Sequence, residues 1–198
     1  MKFHGRTRAG FTLLEVMISL GIFSVVGYGI AVALKAGGSM QGTVVRVSND
    51  DREMRGASRR LLDELQDTAD SKITTLTGAD GNTTLRFQQP VDNAGTHTWG
   101  VFDREIGTTD ADHTRVGWYV NYLTRMQGGK RQLVRQELDA ALAVQREKVI
   151  TDGVRAGGAT PPGFRVQKVG AVWQVTLSTD GEQGQEGIRT VFHVRTRN

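Results

Sequence analysis

From residue 11 to residue 34 the chain reads FTLLEVMISLGIFSVVGYGIAVAL, and Glu15 is the only charged side chain in it. As a helix, such a run spans roughly 36 Å, more than the hydrocarbon core of about 30 Å. A segment this long and this apolar has few places to go except a bilayer or a bundle of similar helices. Lys2, Arg6 and Arg8 precede it and Lys35 follows it. The short basic end is therefore expected in the cytoplasm and residues 36–198 across the membrane. A cleavable secretory signal has an apolar stretch of about 7–15 residues and a small-residue cleavage site after it, and this run is too long for that. A plain single-pass anchor fits the length but leaves Glu15 unexplained. A carboxylate near one end of a span is costly enough to require a partner.

Composition narrows the remainder. Among 198 residues there is no cysteine, which excludes a disulfide framework and every thiolate chemistry. The net charge is +4, and three of those charges are Lys2, Arg6 and Arg8, so residues 11–198 carry only +1. No broad phosphate-binding surface follows from that balance.

The residues around Glu15 carry a family resemblance. Gly10-Phe11-Thr12-Leu13-Leu14-Glu15, behind a short basic leader and ahead of the apolar run, resembles the processing signature of type IV prepilins and type II secretion pseudopilins. The resemblance spans about residues 5–35. It implies cleavage between Gly10 and Phe11 by a prepilin peptidase, N-methylation of the new Phe11 amino group, and retention of the apolar helix for assembly. Elementary chemistry agrees with it. Gly10 has no side chain to obstruct a protease closing on an extended backbone. The cut would remove the leader cations Lys2, Arg6 and Arg8 and leave an ammonium on Phe11 that a neighbouring subunit's Glu15 is placed to neutralise. Such a pair offsets its desolvation only in good geometry, so it sets register more than it adds stability. Gly29, Ala33 and Gly37 recur every four residues, as do Gly27 and Ala31, a spacing that lets membrane helices approach closely.

Residues 41–69 read as a polar amphipathic helix. Asp50 with Glu53, or Ser48 or Asn49 as cap, supplies a start signal. Met54, Ala57, Leu61, Leu65 and Ala69 form the apolar stripe, and Arg52, Arg55, Arg59, Asp63, Glu64 and Asp67 the charged face. From Thr83 the period becomes two. Strands are expected over 84–89, ending at Pro90, over 115–122, over 132–138 after a Gly128-Gly129 turn, over 164–169, around Trp173, Val175 and Leu177, and over 188–197. Residues 138–148 fit either a strand or a short helix. The fold class is α+β and pilin-like, a long hydrophobic helix continuing into an amphipathic one packed on an antiparallel β-sheet head. The expected divisions are 1–10 leader, 11–35 transmembrane and assembly helix, 36–70 amphipathic segment and 71–198 head.

The order of elements, with Arg115-Val116-Gly117-Trp118-Tyr119-Val120, Leu133-Val134-Arg135 and Val172-Trp173-Gln174-Val175, is similar to the J-type minor pseudopilins and W-type minor pilins. That likeness implies a minor subunit at or near a fibre tip, with other pilins or pseudopilins, the prepilin peptidase, inner-membrane lipid and an inner-membrane assembly platform as partners. A non-polymerising anchored binding domain in the periplasm is the alternative from another class. No nucleotide-binding, esterase or zinc-protease motif occurs, and neither catalysis nor a cofactor is expected. No metal is expected either. Asp110, Asp112 and His113, and the loop acids Asp180, Glu182 and Glu186, are the groups that would serve a hard cation if a solvated acidic loop were not the ordinary reading. Arg189, His193, Arg195 and Arg197 alternate on the last strand, a pattern that more often guards a sheet edge than binds nucleic acid.

Overall fold

A computed structural model describes residues 12–102, 113–181 and 186–197. Helix α1, Leu13–Gln66, runs 54 residues without interruption. The described residues then hold a 3-10 turn, Asp70–Lys72, and the strands β1 Ile73–Thr77, β2 Thr83–Phe87, β3 Gln89–Asn93, β4 Thr96–Phe102, β5 Thr114–Val116, β6 Tyr119–Gln127, β7 Lys130–Leu138, β8 Val144–Thr151, β9 Phe164–Val169, β10 Val172–Asp180 and β11 Glu186–Val194. The chain divides into two compact units between Ser48 and Asn49.

In the first unit α1 carries an apolar span, Leu13–Lys35, none of which is covered. The second unit is α+β, as expected. Its strands form three antiparallel sheets, ordered β1-β2-β6-β7-β8, β11-β10-β9 and β3-β4-β5. Met54, Ala57, Leu61 and Leu65 of α1 are buried, as their three- and four-residue spacing predicts. They join one core with Leu85, Phe87, Val120, Tyr122 and Leu133 of the large sheet and with Phe164, Val175, Leu177 and Val194 of the β9–β11 sheet. Ala69 lies beyond the helix end. Its place is taken by a link to the C-terminal segment, where the Arg197 N–H donates to the Thr68 carbonyl at 3.2 Å.

Several elements differ from expectation. No helix starts at residues 48–53, because α1 passes straight through them. Asp51 is engaged four residues onward instead, accepting from Arg55 Nε at 2.8 Å. Pro90 does not end a strand. It sits inside β3 opposite Trp99, and β3 is the edge of its sheet, where a missing N–H costs no ladder bond. The alternation from Arg115 to Tyr122 is two strands of different sheets. Gly117, at φ +77°, turns the chain between β5, which pairs β4, and β6, which pairs β2 and β7. Hence Val116 is 46% exposed, whereas Val120 and Tyr122 are fully buried. Residues 138–148 resolve as a tight loop and β8. Strand β11 stops at Val194, short of Arg195 and Arg197.

Candidate functional site

The first described turn of α1 is capped by its own sequence. Thr12 lies just outside the helix, its Oγ1 accepts the Glu15 N–H at 3.3 Å, and its carbonyl accepts the Val16 N–H at 3.2 Å. Thr12-Leu13-Leu14-Glu15 thus has the spacing of a capping box, with a carboxylate in the first turn where the helix dipole favours it. That gives Thr12 and Glu15 a local duty beside any intermolecular one, and the Thr-x-x-Glu spacing was the signal for it in the sequence.

Beyond the cap the helix satisfies its own polar groups. Ser19 and Ser24 hydroxyls donate to the carbonyls of Glu15 and Leu20, each at 2.8 Å, so neither needs water. Among the described residues nothing covers the apolar side chains: Leu13 is 82% exposed, Phe23 78% and Leu34 71%. A Cβ added at Gly21, Gly27, Gly29, Gly37 or Gly38 would meet nothing within 4 Å. Each glycine inside a helix costs about 1 kcal/mol relative to alanine, and among the described residues no contact requires any of them. What the glycines offer is room for another helix.

The head end of α1 is fastened by a polar cluster around Glu64, a residue that the sequence reading placed on the charged face. Glu64 is no surface charge. Its Oε2 accepts from the Tyr122 hydroxyl at 2.9 Å, its Oε1 from Arg135 Nε at 3.0 Å, and Oε1 again from Arg60 Nε at 3.1 Å. Arg135 also bonds Glu137 through Nη1 at 2.5 Å, and both are almost wholly buried. Burial is the largest influence on Arg135 and pulls its pKa down. Glu64, Tyr122 and Glu137 more than offset that, so the guanidinium stays charged above its usual value. Burial, reinforced by Glu64, holds the Tyr122 phenol well above its ordinary range.

The remaining candidates are scattered. Lys2, Arg6, Arg8, Gly10 and Phe11 lie outside the described residues, as do Asp110, Asp112 and Glu182. His113 stands edge-on to the Phe102 ring, with centroids 5.7 Å apart. Asp180 pairs with Arg155 at 3.2 Å. Among the described residues, no three His, Asp or Glu side chains come together as metal ligands would. Arg189 and His193 are exposed on β11, an edge of its sheet, Arg195 is exposed just past the strand's end, and Arg197 reaches back to Asp67 at 3.4 Å.

Residues 5–27 match the family model described as the prokaryotic N-terminal methylation motif. No curated protein and no solved structure matches the chain. The prepilin-type motif at residues 5–27, leading into an apolar helix long enough to cross a membrane, supports a type IV pilin- or pseudopilin-like processed subunit with a membrane anchor.

Proposed function

We propose that this chain is a minor pilin-like subunit that helps to initiate or cap assembly of a type IV pilus. The precursor inserts with Lys2, Arg6 and Arg8 in the cytoplasm and its head in the periplasm. Prepilin peptidase hydrolyses the Gly10–Phe11 bond, and the new Phe11 amine is methylated. Residues 11–35 then serve as the assembly helix, 36–70 as its amphipathic continuation and 71–198 as the head. Partners are other pilins, the peptidase, membrane lipid and the assembly platform.

The observation that carries this reading is the methylation motif fused to a helix whose apolar residues find no cover in their own chain. In a packed fibre the stripe of Gly29, Ala33 and Gly37 would admit a neighbour, and Glu15 would answer the ammonium of an adjacent Phe11. The pair would act as a register mark, because a mismatched neighbour leaves a carboxylate desolvated and unpaired.

Mass spectrometry of the protein extracted from membranes containing an active peptidase should show a chain starting at N-methyl-Phe11. An intact Met1 start would reduce the protein to an anchor. Glu15→Ala should be cleaved normally yet reach the fibre at a tenth of the wild-type amount or less. Undiminished incorporation of that variant would remove the register role.

A further inference from the structure

Among the described residues six strands are sheet edges, and five of them carry a guard against further pairing. β8 presents Arg146, Glu147 and Lys148 and shifts register against β7, and β11 presents Arg189 and His193 and shifts register against β10. β9 carries Arg165 and Lys168, β3 carries Pro90 and Asp92, and β5 is three residues long with Arg115 at its centre. Charge, proline, irregular register and shortness are the usual means by which an edge refuses another strand. β1 has none of them. It reads Ile73-Thr74-Thr75-Leu76-Thr77, uncharged and β-branched except at Leu76, and it pairs β2 in unbroken register. Thr74, Leu76 and Thr77 are exposed.

The β1–β2 turn fixes which way the main-chain groups of β1 point. The Gly78 N–H donates to the Asn82 carbonyl at 2.7 Å, so residues 78 and 82 are a bonded pair of the antiparallel ladder. Bonded pairs recur at every second residue, which makes Leu76–Thr84 and Thr74–Arg86 the next ones. Ile73, Thr75 and Thr77 therefore turn their N–H and C=O groups away from β2. Ile73 agrees with that parity, since its N–H donates to the Asp70 carbonyl and not to β2. Among the described residues no strand pairs with this side of β1.

We infer that β1 is a docking edge for a second copy of this chain, the two β1 strands pairing antiparallel about a two-fold axis at Thr75. In that register the outward groups meet their complements. Thr75 exchanges both bonds with Thr75 of the second copy, and each Thr77 N–H reaches the Ile73 carbonyl opposite. A two-fold contact sets a strand against itself, so any charge on it meets its own kind. On β1 the facing pairs are Thr75 with Thr75, Thr74 with Leu76 and Ile73 with Thr77, and nothing repels. A charged partner strand would find no opposite charge there. A five-residue strand pair is small for a dimer that assembles in free solution. The apolar span Leu13–Lys35 removes that obstacle by holding both copies in one membrane, where the encounter is between tethered molecules. The inference requires the membrane anchor and not a fibre.

Because the chain contains no cysteine, a single introduced thiol reports the register without background. Two differently tagged copies of the full-length chain, both carrying Thr75→Cys, are co-expressed and their membranes mildly oxidised. The two Cα atoms at position 75 would lie about 5.5 Å apart, within the roughly 4.4–6.8 Å that a disulfide spans. Those at position 77 would lie about 14 Å apart along the strands, beyond its reach. Thr75→Cys should therefore give a dimer containing both tags, at ten times or more the yield from Thr77→Cys, although Thr77 is the more exposed. In the Thr75→Cys background, Thr77→Pro deletes an outward N–H without costing a bond to β2, and Leu76→Lys adds a guard at an exposed site. Each should cut the dimer at least tenfold. Equal yields from positions 75 and 77, no dimer from Thr75→Cys, or a dimer indifferent to both guards would overturn the inference. N-terminal processing of the same samples reports on the pilus reading separately.

Discussion

Glu64 shows what a single position can hide. It follows Leu61 by three residues and so flanks the buried stripe, yet its charge assigns it to the solvent side on any simple pattern. The structure brings it between α1 and the large sheet, where Tyr122, Arg135 and Arg60 all donate to it. The partners were illegible for a different reason: Arg135 and Glu137 alternate with Val134 and Gln136 as surface residues would, and only the β6–β7 register sets Arg135 opposite Tyr122. A buried ion pair adds little net stability, but breaking one strands the remaining charges. Arg135→Ala is therefore expected to cost about 3–5 kcal/mol, because Glu137 and Glu64 lose their shared cation. Tyr122→Phe removes one hydrogen bond to a charged acceptor and should cost about 1–3 kcal/mol. Urea unfolding of the two variants, read at constant slope, measures both, and a double variant no less stable than Arg135→Ala alone would mean that the hydroxyl and the guanidinium act as one unit.

Among the elements, legibility followed the spacing of apolar side chains rather than burial itself. Strands β9 and β10 and the inward residues of β6 were readable because their apolar residues recur at every second position, as with Trp173, Val175 and Leu177, although polar neighbours such as Asn121, Thr176 and Ser178 are buried as well. Strands β1, β3 and β4 were not assigned. β1 and β3 are edges of their sheets, and Leu76 on β1 is 57% exposed, so apolar alternation there is weak. The β1–β2 turn is held instead by polar chemistry that no periodicity reveals. Asp80 accepts the Asn82 N–H at 3.0 Å, Asn82 Nδ2 at 2.8 Å and the Thr124 hydroxyl at 3.0 Å, and it pairs with Arg131 at 3.2 Å. Burial, the largest influence on the Asp80 carboxyl, pushes its pKa up, but these donors overcome it and the group titrates below its ordinary value. At acid pH the unfolded chain thus takes up the proton more readily than the folded one. The stability from Asp80 is complete above the unfolded carboxylate pKa of about 3.9 and is lost as pH falls through the folded value. Asp80→Asn should lower the urea midpoint at pH 6, and the gap from wild type should narrow as pH falls below the unfolded carboxylate pKa of about 3.9. A gap that persists unchanged in acid would show that the carboxylate's charge is not what holds the turn.

At the scale of the whole chain, the two units differ in what covers their apolar surface. Every residue of the core cluster lies between Met54 and Val194, whereas the large apolar side chains from Leu13 to Leu34 are all exposed. The whole of that core cluster thus belongs to the second unit. A fragment of residues 48–198 should unfold cooperatively, with a midpoint within a few degrees of the full chain in detergent, by circular dichroism or calorimetry. Its helix would begin where the sequence carries an unused start signal. Ser48 or Asn49 becomes free to cap, and Asp50, Asp51 and Glu53 fall in the first turn, where the helix dipole favours acids. In the intact chain those residues sit in mid-helix and the signal is silent, which is why the sequence pointed to a boundary that α1 runs through. The fragment makes the distinction measurable. Ser48→Ala and Asn49→Ala together should destabilise it by about 1 kcal/mol, the usual worth of an N-cap, and should leave the full chain unchanged. Broad, non-cooperative melting of the fragment would instead show that the first unit contributes to the stability of the head.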